Sequence, residues 1–537
     1  MSEFDTQQFE GRLDMPISRR VVFIVGILMT LVTLVYTARV WNLQVVRGEV
    51  LRERSEKNNL RHTPIFAARG AIKDRKGELI AWNAPAEDGG VLLRKYSELS
   101  GLAHVLGYVQ YPTKDSRGFY FREDFIGVDG VEKLFNGELQ GANGTRIVEV
   151  DARGKIVSEN TVTPPQAGET VTLSIDSKLQ NKFFESIKEV AQISGFRGGA
   201  GVIMDVTNGE VLALTSYPEF DPDIMSRASD RDTIRGWLNS PDKPFLDRAI
   251  DGVYAPGSIV KSFLALAALN EGIISPEKEI VSTGQIAVQN PYNPDQQTIF
   301  RDWKVHGATD MREAIAVSSD VYFYSVGGGY KDQKGLGITK IDEYTELFGF
   351  GKSVKAPFFE GAAGLVPTPE WKRRVFNGEA WTLGNTYHTS IGQFGFQVSP
   401  IQAVKATAAI ATGGVMRNPT ILKGGESTID SVISKIPPEH YKVVQEGMRL
   451  TVTAGTARSL DVKYAEIAAK SGTAEVGANK ENLNSWLIGY WPASNPKYAF
   501  AVVLEKSGRT VPMGSSAVIR RLIDWMNTNT PEYFYTS

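Results

Sequence analysis

Residues Val21 to Ala38, VVFIVGILMTLVTLVYTA, carry no charged side chain. No other stretch restricts the fold as strongly. As a helix it spans about 27 Å, close to the hydrocarbon thickness of a bilayer. A segment in lipid must satisfy its backbone N–H and C=O groups internally, which a helix does. The rival is a cleaved signal peptide, whose apolar core is shorter and ends in small residues. Here bulky Tyr36 stands two residues before Ala38, so the sequence predicts an uncleaved anchor over 21–43. Arg12, Arg19 and Arg20 precede the span, and Arg39, Arg47, Arg52 and Arg54 follow it. Large C-terminal domains translocate largely regardless of such flanks. Residues 1–20 are therefore expected in the cytoplasm and the rest outside it.

The remainder reads as globular, with 42% hydrophobic and 22% charged residues in a 537-residue chain, enough for two or three domains. A formal net charge of −2 gives no reason to expect nucleic acid. Cysteine is absent, which excludes disulfides, thiolate nucleophiles and Cys-ligated metals. The histidines (His62, His104, His306, His388, His440) are scattered without an HExxH pair, against a zinc hydrolase.

Residues 41–60 are expected to continue as an amphipathic helix. Arg69–Ala81 reads as two short strands about a turn, Thr145–Val150 as a strand, and Thr163–Gly168 as a linker. Beyond it come a strand at Thr170–Ile175 and a helix at Lys178–Ser194. Strands at Gly201–Val206 and Glu210–Ser216 flank Asn208-Gly209, a hairpin signal. Two more strands, Ser485–Trp491 and Tyr498–Glu505, precede a closing helix at Ser516–Asn527. Strands at both ends with helices between predict an α+β domain, an antiparallel sheet covered by helices.

Three clusters can carry chemistry. Ser258 and Lys261 follow the Pro256-Gly257 turn and open an Ala/Leu-rich apolar run, so both fall on one face of a helix start. A serine hydroxyl needs a neighbour to take its proton, and a lysine can do so when burial keeps it neutral. Ser240/Lys243 and Ser494/Lys497 share the spacing, but Pro241 and Pro496 interrupt them. Ser318-Ser319-Asp320 lies in an apolar helical run, Met311–Tyr324. Lys470-Ser471-Gly472-Thr473 places a lysine and two hydroxyls among small residues, suited to holding a carboxylate at a strand edge. The competing Lys506-Ser507-Gly508 follows Glu505 and precedes Arg509, as a solvated strand end would. Taken singly, each cluster also has a structural explanation: a helix cap, a polar helix end, a surface charge. Gly349–Ser353 lacks the first glycine of a phosphate-binding loop, with Glu346 in its place, and no GxSxG elbow occurs.

In order, Ser258-x-x-Lys261, Ser318-x-Asp320 and Lys470-Ser471-Gly472-Thr473 resemble the motif set of the penicillin-recognising serine acyl-transferases. Arg69-Gly70…Asp74-Arg75…Gly77 and Gly127–Leu139 followed by Gly141…Gly144-Thr145 resemble the pedestal of class B penicillin-binding proteins. Asp302-Trp303, Trp381-x-x-Gly384, Ser390-Ile391-Gly392-Gln393, Pro400-Ile401-Gln402 and Ser485–Tyr490 resemble that family's transpeptidase domain. Asp320 with the Phe-Tyr after it resembles the elongation branch. Two positions depart from the pattern: Asp320 replaces the commoner Asn, and Phe394 follows Gln393 where the family has glycine.

The resemblance implies a β-rich, dimerisation-type pedestal over 44–167 and a transpeptidase domain over 168–537. The implied enzyme is a single-pass protein of the bacterial cytoplasmic membrane that cross-links peptidoglycan stem peptides without metal or organic cofactor. Lys261 takes the Ser258 proton, and Ser258 attacks between two terminal D-alanines. Ser318, with Asp320 and Lys470 nearby, returns a proton to the leaving nitrogen. The N–H groups of Ser258 and Thr473 form the oxyanion hole, and Ser471 and Thr473, around Gly472, hold the carboxylate. β-Lactams are the implied covalent inhibitors, and a polytopic glycosyltransferase of the elongation machinery the implied partner. Two alternatives stand beside it: a D,D-carboxypeptidase or β-lactamase on the same acyl-serine, and a non-catalytic scaffold that activates a glycan polymerase.

Overall fold

The apolar run forms helix α1, Arg19–Trp41, with the Ser18 hydroxyl accepting from the Arg20 N–H at its start. The computed structural model describes residues 18–52, 60–86, 91–116, 120–150, 156–290 and 293–535. Most of the expected N-terminal tail, 1–17, therefore lies outside the described residues. Arg19–Val46 is long and apolar enough to cross a membrane. The predicted continuous helix over 41–60 is not found. The winding loosens at Asn42–Val46, where the Arg47 N–H bonds back to the Asn42 carbonyl. Gly48, a poor helix former, follows, and Leu60 is already in a strand, with 53–59 outside the described residues.

The chain then runs through β1 (Leu60–Ile65), β2 (Ile72–Lys73), β3 (Leu79–Ala84), β4 (Leu93–Tyr96), β5 (Gly144–Val150), β6 (Ile156–Thr163) and β7 (Val171–Thr172). The described residues up to Ile65, with Asn143–Pro165, form one compact unit, and Phe66–Ala142 with Gln166 onward form another. In the first unit β1, β5 and β6 make an antiparallel sheet with β5 central. In the second the order is β7-β2-β3-β4, with β7 parallel to β2. The β2–β3 turn is the one expected: Asp74 accepts from the N–H groups of Lys76 and Glu78, and Gly77 takes φ +89°. Strand β7 is shorter than predicted because the chain leaves β2 to bridge Leu173 with Leu422. Beneath this sheet a fully buried Glu132 pairs with Arg69 (2.6 Å) and Arg94 (2.7 Å). Removing one member of such a buried set costs about 3–5 kcal/mol.

Next come α2 (Ser177–Ser194), β8 (Gly198–Asp205), β9 (Val211–Tyr217), α3 (Lys261–Asn270), α4 (Met311–Val317), α5 (Asp320–Gly328), α6 (Pro400–Ala411), α7 (Pro438–Thr453), β10 (Ala468–Val476), β11 (Asn482–Trp491), β12 (Tyr498–Ser507) and α8 (Ser515–Asn529), with shorter elements between. The five strands form an antiparallel sheet in the order β9-β8-β12-β11-β10. Their period-two alternation sends Val202, Ala501 and Val503 to one face and Ile203, Val502 and Leu504 to the other. The second face is covered by α2 and α8 through Phe183, Ile187, Val518 and Leu522. Asp176 starts α2 by accepting from the Lys178 and Leu179 N–H groups, and Gly195 ends it in the left-handed region. The first face packs against α6, and the turn that leads into α3 packs on β10 and β11; both helices are buried almost all round. Strand β10 is the open edge, facing the chain that carries Ser258.

Candidate active site

Ser258 lies in a tight turn, Gly257–Val260, that runs directly into α3. Gly257 makes the turn possible. It sits at φ +56°, its N–H donates to the Gly392 carbonyl (3.0 Å), and a Cβ there would collide with the Thr473 carbonyl. The turn is thus pressed onto β10, leaving Ser258 half-buried with a hydroxyl that makes no hydrogen bond among the described residues.

One turn on, Lys261 is fully buried at the start of α3. Its amine donates to Asp320 Oδ1 (2.6 Å) and to the Ser318 carbonyl (2.8 Å), and lies 3.3 Å from Ser318 Oγ. These acceptors match the three donors of an ammonium. Burial pushes the Asp320 carboxyl up, and the charge of Lys261 opposes that shift without cancelling it.

The predicted continuous helix over Met311–Tyr324 is broken. Helix α4 ends at Val317, Ser318 adopts the left-handed region (φ 59°, ψ 43°), and Ser319 caps α5 by accepting from the Tyr322 N–H. The break follows from Asp302, which sequence reading placed only in a family-like pair. Its buried Oδ2 accepts from Ser319 Oγ (2.9 Å), the Val321 N–H (3.0 Å) and Ser282 Oγ (3.1 Å), while Oδ1 takes the Trp303 N–H (2.9 Å). The Trp303 indole N–H in turn donates to the Ser318 carbonyl (3.2 Å). The reward of the break is positional: the Ser318 hydroxyl is turned into the space between two lysines.

The second lysine is Lys470 of β10. It is fully buried and donates to Ser318 Oγ (2.9 Å) and to the Ser471 carbonyl (2.7 Å). Burial, with the charge of Lys261 as a second cause, pushes its pKa well below the usual lysine range. Gly472 packs against the Ser258 turn, where a Cβ would collide with the Pro256 carbonyl, and Thr473 beside it is exposed. Lys506 belongs to β12, separated from β10 by β11, and its side chain is exposed. The strand end itself differs from expectation, since Glu505 is buried against Arg248 (2.9 Å).

Two contacts at β10 come from remote segments, one from Thr456, which the sequence did not single out, and one from Gln393, which stood only in a family-like stretch. Thr456 Oγ1 lies 2.5 Å from Ser471 Oγ, and its N–H donates to the Ala316 carbonyl. The loop after α7 therefore ties the helix before Ser318 to the edge strand. Gln393, its amide oriented by the groups it faces, donates to the Glu475 carbonyl (3.2 Å) and accepts from the Glu475 N–H (3.0 Å). Neither Thr456 nor Gln393 neighbours its partner in sequence, and their residue types are common in loops.

A serine on a rigid turn, a second hydroxyl shared by two lysines, and an open strand edge are the parts of an acyl-transfer site. The sequence from 199 to 521 matches the family described as the penicillin binding protein transpeptidase domain, and 91–173 matches the penicillin-binding protein dimerisation domain. The chain is 30% identical to the peptidoglycan D,D-transpeptidase MrdA of Haemophilus influenzae, over 82% of this chain and 70% of that one. It is 27% identical to the Escherichia coli protein of the same name, over 96% and 95%. The crystal structure of Pseudomonas aeruginosa PBP2 in complex with WCK 5153 superimposes with a TM-score of 0.69 at 30% identity, covering 87% of this chain and 97% of that one. A chain from a peptidoglycan synthase complex gives 0.71 at 26% identity, covering 94% and 97%. Sequence and fold agree that the chain belongs to the class B penicillin-binding proteins, the peptidoglycan D,D-transpeptidases, on their elongation branch.

Proposed function

We propose that the chain cross-links peptidoglycan stem peptides through an acyl-enzyme on Ser258, as a single-pass protein of the bacterial cytoplasmic membrane with its catalytic domain outside the cytoplasm. The observation that carries this is the Ser318 hydroxyl, held between Lys261 and Lys470 beside the turn that presents Ser258. The proposed boundaries are a tail at 1–20, an anchor at 21–43, a pedestal over 44–167 and a transpeptidase domain over 168–537.

In the proposed cycle Ser258 Oγ attacks the carbonyl between two terminal D-alanines, and Lys261 accepts its proton. To do so Lys261 acts as the neutral amine, which keeps two N–H donors for Asp320 and the Ser318 carbonyl and turns its lone pair to Ser258. The N–H groups of Ser258 and Thr473 stabilise the oxyanion, each such donor being worth about 10²–10³ in rate. Ser471 and Thr473 bind the terminal carboxylate, with Gly472 letting the strand approach the turn. Ser318 delivers its proton to the leaving D-alanine nitrogen and is reprotonated by Lys261, 3.3 Å away, which returns to the neutral amine, while Lys470 keeps that hydroxyl poised. Asp320 holds Lys261 in place. An amine of a neighbouring stem then attacks the acyl-enzyme, forming the cross-link and restoring Ser258.

A relative solved in a complex described as coordinating polymerization and crosslinking supports a glycan-polymerising partner, proposed to be a polytopic glycosyltransferase of the elongation machinery. A fluorescent penicillin should label the purified full-length protein with a long-lived adduct and should not label Ser258→Ala. Turnover of penicillin within seconds would favour a hydrolase. Equal labelling of Ser258→Ala would remove the assignment of the nucleophile.

A further inference from the structure

The departure at Phe394 has a structural counterpart. Phe394 lies in the left-handed region at φ +60°, costly for a bulky side chain. It is held there by rings on three sides: Phe376 stacked at 5.8 Å, and Trp371 (5.7 Å) and Trp381 (5.6 Å) edge-on. The Lys372 amine lies 6.0 Å from the ring centre. Lys372 is itself buried and fixed to the Ala380 carbonyl (2.7 Å) and to Asn385 (2.9 Å). The residues just before Phe394 touch the site from two directions. Gly392 accepts from the Gly257 N–H, and Gln393 pairs with both backbone groups of Glu475.

The pairing at Glu475 matters because β10 is an edge strand. On such a strand alternate residues turn their N–H and C=O toward the open side. Glu475 faces Gln393, so Thr473 and Ser471 face the same open side. The Ser471 carbonyl is taken by Lys470, and both groups of Glu475 are taken by Gln393. Between Lys470 and Glu475, the outward N–H and C=O of Thr473 have no partner among the described residues.

We propose that the Gln393 amide, locked by Phe394 in its aromatic clasp, is a fixed stop on the edge of β10. The acyl donor adds to the sheet through the single residue opposite Thr473 and leaves the edge before Glu475. Gln393 determines how much of the donor is read as a strand, and Phe394 is a positioning residue acting through it. This rests on the proposed reading of the site, in which the donor carbonyl meets the Thr473 N–H and its carboxylate lies toward Ser471.

The test compares two thioester donors on the full-length protein, one ending in N-acetyl-D-alanyl-thiolactate and one carrying two further strand-compatible residues. The readout is the ratio of kcat/KM, long to short, from thiol release, so a change in basal rate cancels. In the wild type the extra residues gain nothing beyond about twofold. In Gln393→Ala the ratio rises about fivefold, the equivalent of one net backbone hydrogen bond. Phe394→Gly, which keeps the left-handed backbone and removes the clasp, moves the ratio the same way, and Phe394→Tyr keeps the wild-type ratio. Hydrogen exchange at the Glu475 amide gives a readout independent of chemistry, slow in the wild type and at least about tenfold faster in Gln393→Ala. An unchanged ratio in both Gln393→Ala and Phe394→Gly, a wild type that already gains fivefold with length, or a Glu475 amide that exchanges freely in the wild type would overturn the stop. Absence of penicillin labelling at wild-type Ser258 would overturn the reading of the site instead, leaving the exchange result to judge the stop.

Discussion

Asp302→Asn is expected to unfasten the active site without touching substrate. Oδ2 of Asp302 collects three donors and Oδ1 a fourth, all between 2.9 and 3.1 Å. An asparagine has one oxygen. Oriented to keep the three donors, it turns its NH₂ toward the Trp303 N–H and strands that donor, costing about 1–3 kcal/mol, while the other three weaken by roughly 1 kcal/mol each on losing a charged acceptor. The sum is about 4–6 kcal/mol, in the range that marks a broken buried network. Ser319→Ala, which removes one of the four, should cost about 1–2 kcal/mol. The loss should reach the chemistry, because the same contacts force the chain to break at Ser318 and turn its hydroxyl between the lysines. Thermal melting of the full-length protein in detergent and the rate of acylation by fluorescent penicillin are the two assays. A melting temperature lower by several degrees with acylation at least about tenfold slower is expected. Asp302→Asn melting within a degree of the wild type and acylating within twofold would refute the argument that Asp302 sets the Ser318 turn.

Lys470→Ala should slow acylation at least about a hundredfold, since it frees Ser318 Oγ and the Ser471 carbonyl together, whereas exposed Lys506→Ala should stay within about twofold. The reverse pattern in stopped-flow penicillin acylation would exchange the two assignments. Thr456→Val removes the hydroxyl beside Ser471 and should weaken carboxylate-dependent binding of the donor about fivefold, seen as a raised KM with little change in kcat. Burial raises the Glu219 carboxyl from 4.5 to about 7, although it accepts from the Gly101 and Ala103 N–H groups. The folded state therefore binds this proton more tightly than the unfolded chain, so the stabilisation is complete below 4.5 and is lost as pH rises through about 7. Relative to wild type, Glu219→Gln should gain about 3 kcal/mol of unfolding free energy between pH 4 and pH 8 in denaturant titrations, and a flat difference would contradict the shift.

What the sequence revealed is what local physics determines. The hairpin around Asn208-Gly209, the helix after Asp176 and the turn-to-helix at Pro256–Lys261 each carry their own caps, turn residues and periodicity. Lys470 could be told from Lys506 because small residues mark the strand edge that a substrate can approach. The break at Ser318 was hidden, because MREAIAVSSDVYFY is a sound helical pattern and the carboxylate that interrupts it is Asp302, brought in by the fold. Glu505 looked like a surface charge and is buried because Arg248 meets it from a distant loop. Thr456 gave no signal, and Gln393 stood only in a family-like stretch without a role, for the same reason: each acts on β10 from a remote segment. The extent of β7 was equally nonlocal, set by its pairing with β2 and the Leu173–Leu422 bridge.

The central claim is that one serine carries the acyl group. Intact full-length protein is incubated with penicillin, digested, and the modified peptide sequenced by mass spectrometry. One penicilloyl adduct is expected, on Ser258 in the peptide containing Pro256-Gly257-Ser258-Ile259-Val260-Lys261, and none in Ser258→Ala. An adduct on Ser318, Ser471 or any other residue, or no adduct on a folded protein, would contradict it.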